Sequence, residues 1–199
     1  MPKQKTILVT GGAGFIGSHL CERLVKEGHR VISLDNYFTG SRDNHIGGVV
    51  YREGHTKDIE KHITENVDII FHLGEYSRVE ISLREPALVW DLNKDGTFGV
   101  MEFWRRRKCK LIYAGSSTKF GDGGLGRAQS PYGWSKASNT ELVENYGRWY
   151  NLPYAITYFY NVYGPRERAG KYGTVIEIFW QKMLKGGARY LLCQHHKTL

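Results

Sequence analysis

Short apolar runs alternate along the chain with longer segments whose apolar positions recur at helical spacing. Thr6–Thr10 (TILVT) reads as a buried strand. A glycine-rich turn follows, then an amphipathic segment over residues 15–27, which Gly28 closes where a C′ glycine belongs. Further strands are expected at 31–34, ending at Asp35, and at 49–52, 67–72, 110–114 and 154–159. Between them the pattern predicts a short helix over 58–65, a long one from Pro86 to about Arg107, one over 132–150 and one over 175–184. Residues 36–48 read as a polar surface loop, and 188–199 carry no clear element. Strands alternating with helices imply βαβ units and an α/β architecture with a doubly wound parallel sheet. No internal repeat and no Pro/Gly/Ser linker divides the chain.

Composition narrows the class. The sequence has 199 residues, 41% of them hydrophobic, with thirteen Tyr, eight Phe and five Trp, enough to close a core and to exclude disorder. Apolar runs such as Leu-Ile-Tyr-Ala at 111–114 are four residues long, against roughly twenty for a membrane span. The first residues show no signal-peptide apolar region, and Cys21, Cys109 and Cys193 form neither a metal spacing nor a disulfide framework. A cytoplasmic, reduced protein with no membrane partner and no metal is expected. The net charge of +8 attracts anions, nucleotide diphosphates among them. The run Arg105-Arg106-Arg107-Lys108 reads as a solvated helix end, where cations suit the macrodipole. No aromatic-interleaved basic stripe supports nucleic acid, which stays a minor alternative.

Between the first strand and the first helix stands Gly11-Gly12-Ala13-Gly14-Phe15-Ile16-Gly17. Gly11 permits a tight turn, Gly14 lets backbone approach a pyrophosphate, and Gly17 lets helix and strand pack closely. The first helical turn, with Phe15 and Ile16, then offers free N–H groups to the anion. Asp35 ends the second strand, where a carboxylate accepts the hydroxyls of an adenosine ribose and repels a 2′-phosphate; Asn36 and Tyr37 follow, with no Arg. The cofactor expected is NAD rather than NADP.

Tyr132-Gly133-Trp134-Ser135-Lys136 sets Tyr and Lys one turn apart on a helix face. A tyrosine is a weak base at neutral pH, and a nearby ammonium favours its phenolate. Ser116 and Ser117 end the fifth strand, at the sheet edge where doubly wound folds bind ligands. A hydroxyl from Ser116 can reach a sugar oxygen or share the proton of Tyr132, whereas Ser117 reads on position alone as a turn residue.

Taken in order, TGGAGFIGSHL from Thr10, Asp35-Asn36, Asp58-Ile59, His72-Leu73-Gly74, the N-x-x-G-T from Asn93, Gly115-Ser116-Ser117, SPYGWSK from Ser130 and Asn161-Val162-Tyr163-Gly164-Pro165 resemble the extended short-chain dehydrogenase/reductases, in their NAD-dependent sugar epimerase/dehydratase branch. The likeness runs from about Lys3 to Ile178. It implies a Rossmann-type fold in which Gly11, Gly14, Phe15, Ile16 and Gly17 hold the NAD pyrophosphate. Asp35 and Asn36 would then meet the adenosine ribose and Asp58 and Ile59 the adenine, with Leu73, Gly74 and Asn93 along the cofactor. It makes Tyr132 the base, Lys136 its partner on the nicotinamide ribose, and Ser116 the third member. Ser116, Ser117 and Asn161 fall on the substrate side, toward a nucleotide-diphosphate sugar. Hydride would leave a sugar carbon, usually C4, for NAD. The helices over 86–107 and 132–150 resemble those that pair subunits of this family, so a homodimer is implied.

Two departures shape the expected function. Sugar 4,6-dehydratases of the branch carry Asp-Glu where this chain has Ser117-Thr118, which favours epimerisation or oxidation at C4 over loss of water. Glu75 and Glu80 are the carboxylates that could compensate from the facing stretch, GEYSRVE, which departs from the usual small residues. Lys119 is also unusual. The family continues into a substrate lobe, whereas residues 186–199 do not resemble that continuation, and His195-His196 lack the partners of a metal site. The expectation is an NAD-binding domain over 1–185 with an atypical tail over 186–199 in place of the lobe. It is either an epimerase-like enzyme, a dehydratase or C4 dehydrogenase, or a non-catalytic NAD-binding remnant.

Overall fold

A computed structural model describes residues 3–168, 170–173 and 175–185. The atypical tail expected over 186–199 lies outside the described residues. Six parallel strands form one sheet in the order β3-β2-β1-β4-β5-β6: β1 Thr6–Thr10, β2 Arg30–Asp35, β3 Val49–Glu53, β4 Ile69–His72, β5 Lys110–Ser116 and β6 Tyr154–Phe159. This is the doubly wound order whose direction reverses between β1 and β4. The helices are α1 Phe15–Lys26, α2 Ile59–His62, α3 Val79–Ser82, α4 Pro86–Val89, α5 Gly96–Arg107, α6 Pro131–Tyr150 and α7 Val175–Leu184. The chain divides into two compact units, Met1–Asn161 and Val162–Leu199; the first carries the whole sheet, and the second carries α7.

Alternation along the strands sorts the core into two layers. Ile7, Val9 and Val31 pack with Cys21 and Leu24 of α1 on one face. Leu8, Ile32, Leu34, Ile70, Leu111 and Tyr113 pack on the other, under Val100, Phe103 and Trp104 of α5 and Val143 and Tyr146 of α6. Both free thiols among the described residues, Cys21 and Cys109, lie in these layers, where burial pushes them up to about 12 and about 11. They are packing groups rather than reactive ones. Among the described residues no helix is long and apolar enough to cross a membrane, and no acid, His and Cys cluster could hold a metal ion.

Several elements differ from the hydrophobic pattern. The helix expected over 58–65 is a 3-10 turn, Thr56–Asp58, running into the four-residue α2, because Ile63 turns extended to enter the core. The segment expected as one helix over 86–107 is continuous but holds a π-helical stretch, Trp90–Asp95, between α4 and α5. Such insertions gather at functional sites, and this one contains the buried Asn93. Serine and proline at 130–131 start α6 one residue earlier than expected, with Ser130 Oγ accepting from Gly133 N at 3.0 Å. The cationic run ends α5 as expected, paired on the surface with Glu102 and Glu60.

Candidate active site

The β1–α1 turn is built from backbone. Gly11 sits at φ +73, a conformation that favours glycine. A Cβ on Gly11 would meet the backbone of Gly74, which follows β4, at 2.9 Å, so the turns after β1 and β4 touch at the point where the strand order reverses. A Cβ on Gly17 would strike the Gly11 carbonyl, which is the close helix–strand packing expected of the third glycine. Gly14, by contrast, has only the Gly11 carbonyl near it, and as the N-cap of α1 it supplies no side-chain hydrogen bond. The first-turn amides of Phe15 and Ile16 are therefore not capped by a side chain. A phosphate fits that cradle.

Asp35 closes the same end of the sheet. Its Oδ2 accepts from Ala13 N at 2.9 Å, inside the glycine turn, and its Oδ1 from Tyr37 N at 2.8 Å. Burial pushes the carboxyl up, while these two amides oppose the rise. A Cβ on Gly40 would meet the carboxylate at 2.9 Å, so backbone passes close beside it. Asn36 is exposed and turns its Oδ1 to Phe38 N at 3.1 Å. Asp58 pairs with Lys61 at 2.7 Å, and the Ile59 side chain belongs to the core, leaving only its backbone to border a ligand. Leu73 N and Gly74 N both donate to Thr10 Oγ1, at 3.2 and 3.1 Å, which ties the two central turns together.

On the other side of the reversal, β5 and α6 bring Ser116, Tyr132 and Lys136 into one buried group. Tyr132 OH donates to Ser116 Oγ at 3.1 Å, and Thr118 Oγ1 donates to the same oxygen at 3.0 Å. The Lys136 ammonium, one turn further along α6, bonds the Ala114 carbonyl and lies 4.6 Å from the centre of the Tyr113 ring. Ser117 opens the 3-10 turn Ser117–Phe120, and Asn161 is an exposed residue in the bend after β6.

Behind this group lies a polar network that spacing alone did not assemble. Lys136 is ion-paired with Glu75, whose side chain is 3% exposed. Glu75 Oε1 also receives Thr97 Oγ1 at 2.9 Å, Asn139 Nδ2 at 2.9 Å and Tyr113 OH at 3.1 Å. Burial would push the Glu75 carboxyl up, but Lys136, His72 and Asn139 outweigh it and hold it below the usual range. His72 is enclosed between Thr10 Oγ1, 2.7 Å from Nδ1, and Thr97 Oγ1, 3.0 Å from Nε2, and burial lowers it to about 4. Asn93 accepts from Tyr76 N at 2.6 Å and donates to Tyr76 O at 3.1 Å and Ser135 Oγ at 2.9 Å, so it clamps the loop after β4 to α6. Glu80, the other carboxylate of that stretch, is 87% exposed on α3. Lys119 reaches toward Glu144 at 3.9 Å and the Tyr158 ring at 5.8 Å.

A glycine cradle at the sheet reversal, a buried acid at the end of β2 and a buried Ser-Tyr-Lys group define a nicotinamide-dinucleotide protein of the short-chain dehydrogenase/reductase type. The model of the NAD dependent epimerase/dehydratase family matches residues 7–197, and the chain belongs to that family. A putative UDP-glucose 4-epimerase of Methanocaldococcus jannaschii is 35% identical over 96% of this chain and 67% of its own. A UDP-N-acetyl-alpha-D-glucosaminuronate decarboxylase of Bacillus cytotoxicus is 33% identical over 92% of this chain and 62% of its own. Among solved structures, the UDP-glucose 4-epimerase of Thermotoga maritima with UDP-glucose superposes with a TM-score of 0.83 at 32% identity, over 91% of this chain and 63% of that one. The Thermus thermophilus UDP-glucose 4-epimerase in complex with NAD gives 0.80 at 32% identity, over 91% and 63%. The chain thus spans about two thirds, or less, of the length of these relatives.

Proposed function

We propose that the chain is the NAD-binding part of a nucleotide-sugar 4-epimerase. The observation that carries this reading is the Tyr132 hydroxyl 3.1 Å from Ser116 at the end of β5, followed by Ser117 and Thr118 rather than by carboxylates. NAD would lie along the Gly11, Gly14, Phe15, Ile16 and Gly17 turn, with Asp35 and Asn36 on the adenosine ribose, Asp58 and Ile59 at the adenine, and Leu73, Gly74 and Asn93 along its length. The nicotinamide, when bound, supplies the hydride acceptor for the sugar C4. Tyr132 takes the C4 hydroxyl proton and Ser116 hydrogen-bonds the same oxygen, holding it toward the base. Lys136, one turn along α6, would supply positive charge beside Tyr132 and hold the nicotinamide ribose. Ser117 and Asn161 contact the sugar nucleotide. After the ketone turns over, Tyr132 returns the proton as C4 is reduced on its other face, so NAD is not consumed.

Residues 1–185 would form this cofactor domain, in a cytoplasmic enzyme whose buried thiols stay reduced. A homodimer through α4–α5 and α6 is supported by the aromatic surface those helices expose: Trp90, Phe98, Trp134 and Trp149, with Trp90 stacked on Trp134 at 5.6 Å. The first test is a thermal melt with and without NAD, since a ligand that binds only the folded state raises the transition. A rise is followed by products from UDP-sugars: a stereoisomer supports the epimerase, while a product lighter by water or by carbon dioxide moves the assignment to a dehydratase or decarboxylase. A rise without turnover leaves a cofactor-binding remnant. No rise at saturating NAD overturns the proposal.

A further inference from the structure

A buried carboxylate beside the lysine of a Tyr-Lys pair calls for an explanation, because the proposed reaction has no use for it as an acid. Glu75 is not a loose counterion. Its Oε1 is fixed by donors from three elements, Thr97 of α5, Tyr113 of β5 and Asn139 of α6, and its Oε2 faces Lys136. That cradle holds the carboxylate against Lys136, whose ammonium has the Ala114 carbonyl as its second partner. The pair is enclosed, 6% exposed on the lysine side and 3% on the glutamate side, where charges act over longer range than in water.

Resting on the reading of Tyr132 as the base, we propose that Glu75 is a positioning residue that anchors Lys136 and weakens its pull on the Tyr132 proton. An ammonium alone acts on the phenol as a full charge. An ammonium with a carboxylate against it acts as a dipole, whose field at Tyr132 is smaller. The other groups facing Glu75 do not replace that effect. His72 of β4 is neutral near pH 7 because burial lowers it to about 4, and burial together with Glu75 keeps Tyr113 protonated. Lys94 of the π-helical stretch turns its ammonium to Ser138 and Asn139, at 3.0 and 2.8 Å, and burial lowers it, with Glu75 and Glu141 opposing. Charge at position 75 therefore changes the field that Lys136 presents to Tyr132.

The test reads Tyr132 directly, without sugar turnover. In the full chain labelled with 13Cζ-tyrosine, the NMR resonance that disappears in Tyr132→Phe is followed against pH. In Glu75→Gln its titration midpoint should fall by about one pH unit. In Glu75→Asp, which keeps the charge, it should stay within about 0.3 of the parent value. An unmoved midpoint in Glu75→Gln overturns the proposal, as does an equal shift in Glu75→Asp, which would make contact rather than charge the cause. If Glu75→Gln does not melt cooperatively, the parent chain decides. A slowly exchanging Lys136 ammonium resonance with a cross-peak to the Glu75 side chain supports the anchor, and a freely exchanging one removes it. Failure of the functional reading shows elsewhere, as a melt unmoved by NAD or an absent product, with the Glu75 effect on Tyr132 intact.

Discussion

Around the β1–α1 turn the protein presents backbone: glycines at 11, 14 and 17, uncapped amides, and one side chain, Asp35, itself held by two main-chain N–H groups. Around β5 and α6 it presents side chains: the Ser116–Tyr132 hydroxyl pair stands beside a buried hydrogen-bonded set of Lys136, Glu75, Asn93, Asn139, Thr97 and His72. Backbone recognition tolerates little added volume and much change of charge. A side-chain network has the opposite sensitivity, because each buried polar group depends on its partner. A dinucleotide diphosphate needs the first kind of surface, and a proton moved at a chosen atom needs the second.

The sharpest break of this contrast is Lys136→Met. It strands the Glu75 carboxylate in the core, and loss of one partner of a buried pair costs about 3–5 kcal/mol. The stranded acid then titrates above its unfolded value. The loss, read from chemical denaturation, should therefore be larger at pH 8 than at pH 5, where a proton relieves it. Equal losses at both would mean that Glu75 is solvated. Next, Tyr132→Phe should lower turnover about a thousandfold while leaving NAD affinity within about threefold. Turnover within tenfold of the parent would remove Tyr132 as the base.

His72 gives a pH signature of the side-chain end. Its folded value of about 4 lies below the unfolded 6.5, so the unfolded chain takes up the proton first. Stability should fall as pH drops from 6.5 toward 4, by about 3 kcal/mol from this residue. In His72→Gln that part of the slope should vanish, and a slope identical to the parent's would assign it to other groups. The smallest effect belongs to the backbone end. Asp35→Ala should weaken NAD by about tenfold to thirtyfold, read by calorimetry, with Tyr132 titrating as before. Unchanged affinity would free Asp35 from the ribose.

The same contrast decides what could be read from the letters. The glycine turn, Asp35 and the Tyr-Lys spacing are local patterns in which position in the chain fixes position in space, and the parallel sheet followed from the alternation of strands with helices. Glu75 stood out only as an acid where small residues are usual. Its partnership with Lys136, 61 residues away, depends on how β4 and α6 dock. Asn139 gave no signal beyond its helix face. Asn93 was legible as part of N-x-x-G-T, but its grip on Tyr76 arises from a π-helical stretch that no apolar periodicity marks. The short α2 escaped for the converse reason: Ile63 was needed in the core more than in a helix.

That π-helical stretch has a consequence for the phase of everything after it. An α-helix advances about 100° per residue, so a surplus residue within Trp90–Asp95 offsets the angular bearing of Gly96–Arg107 by roughly a quarter turn relative to Pro86–Val89. Beyond this stretch Val100, Phe103 and Trp104 are buried in the core, while Trp90 at its start is exposed. Removing one residue there would let the helix run regularly, and would dial its apolar stripe away from the core it now closes.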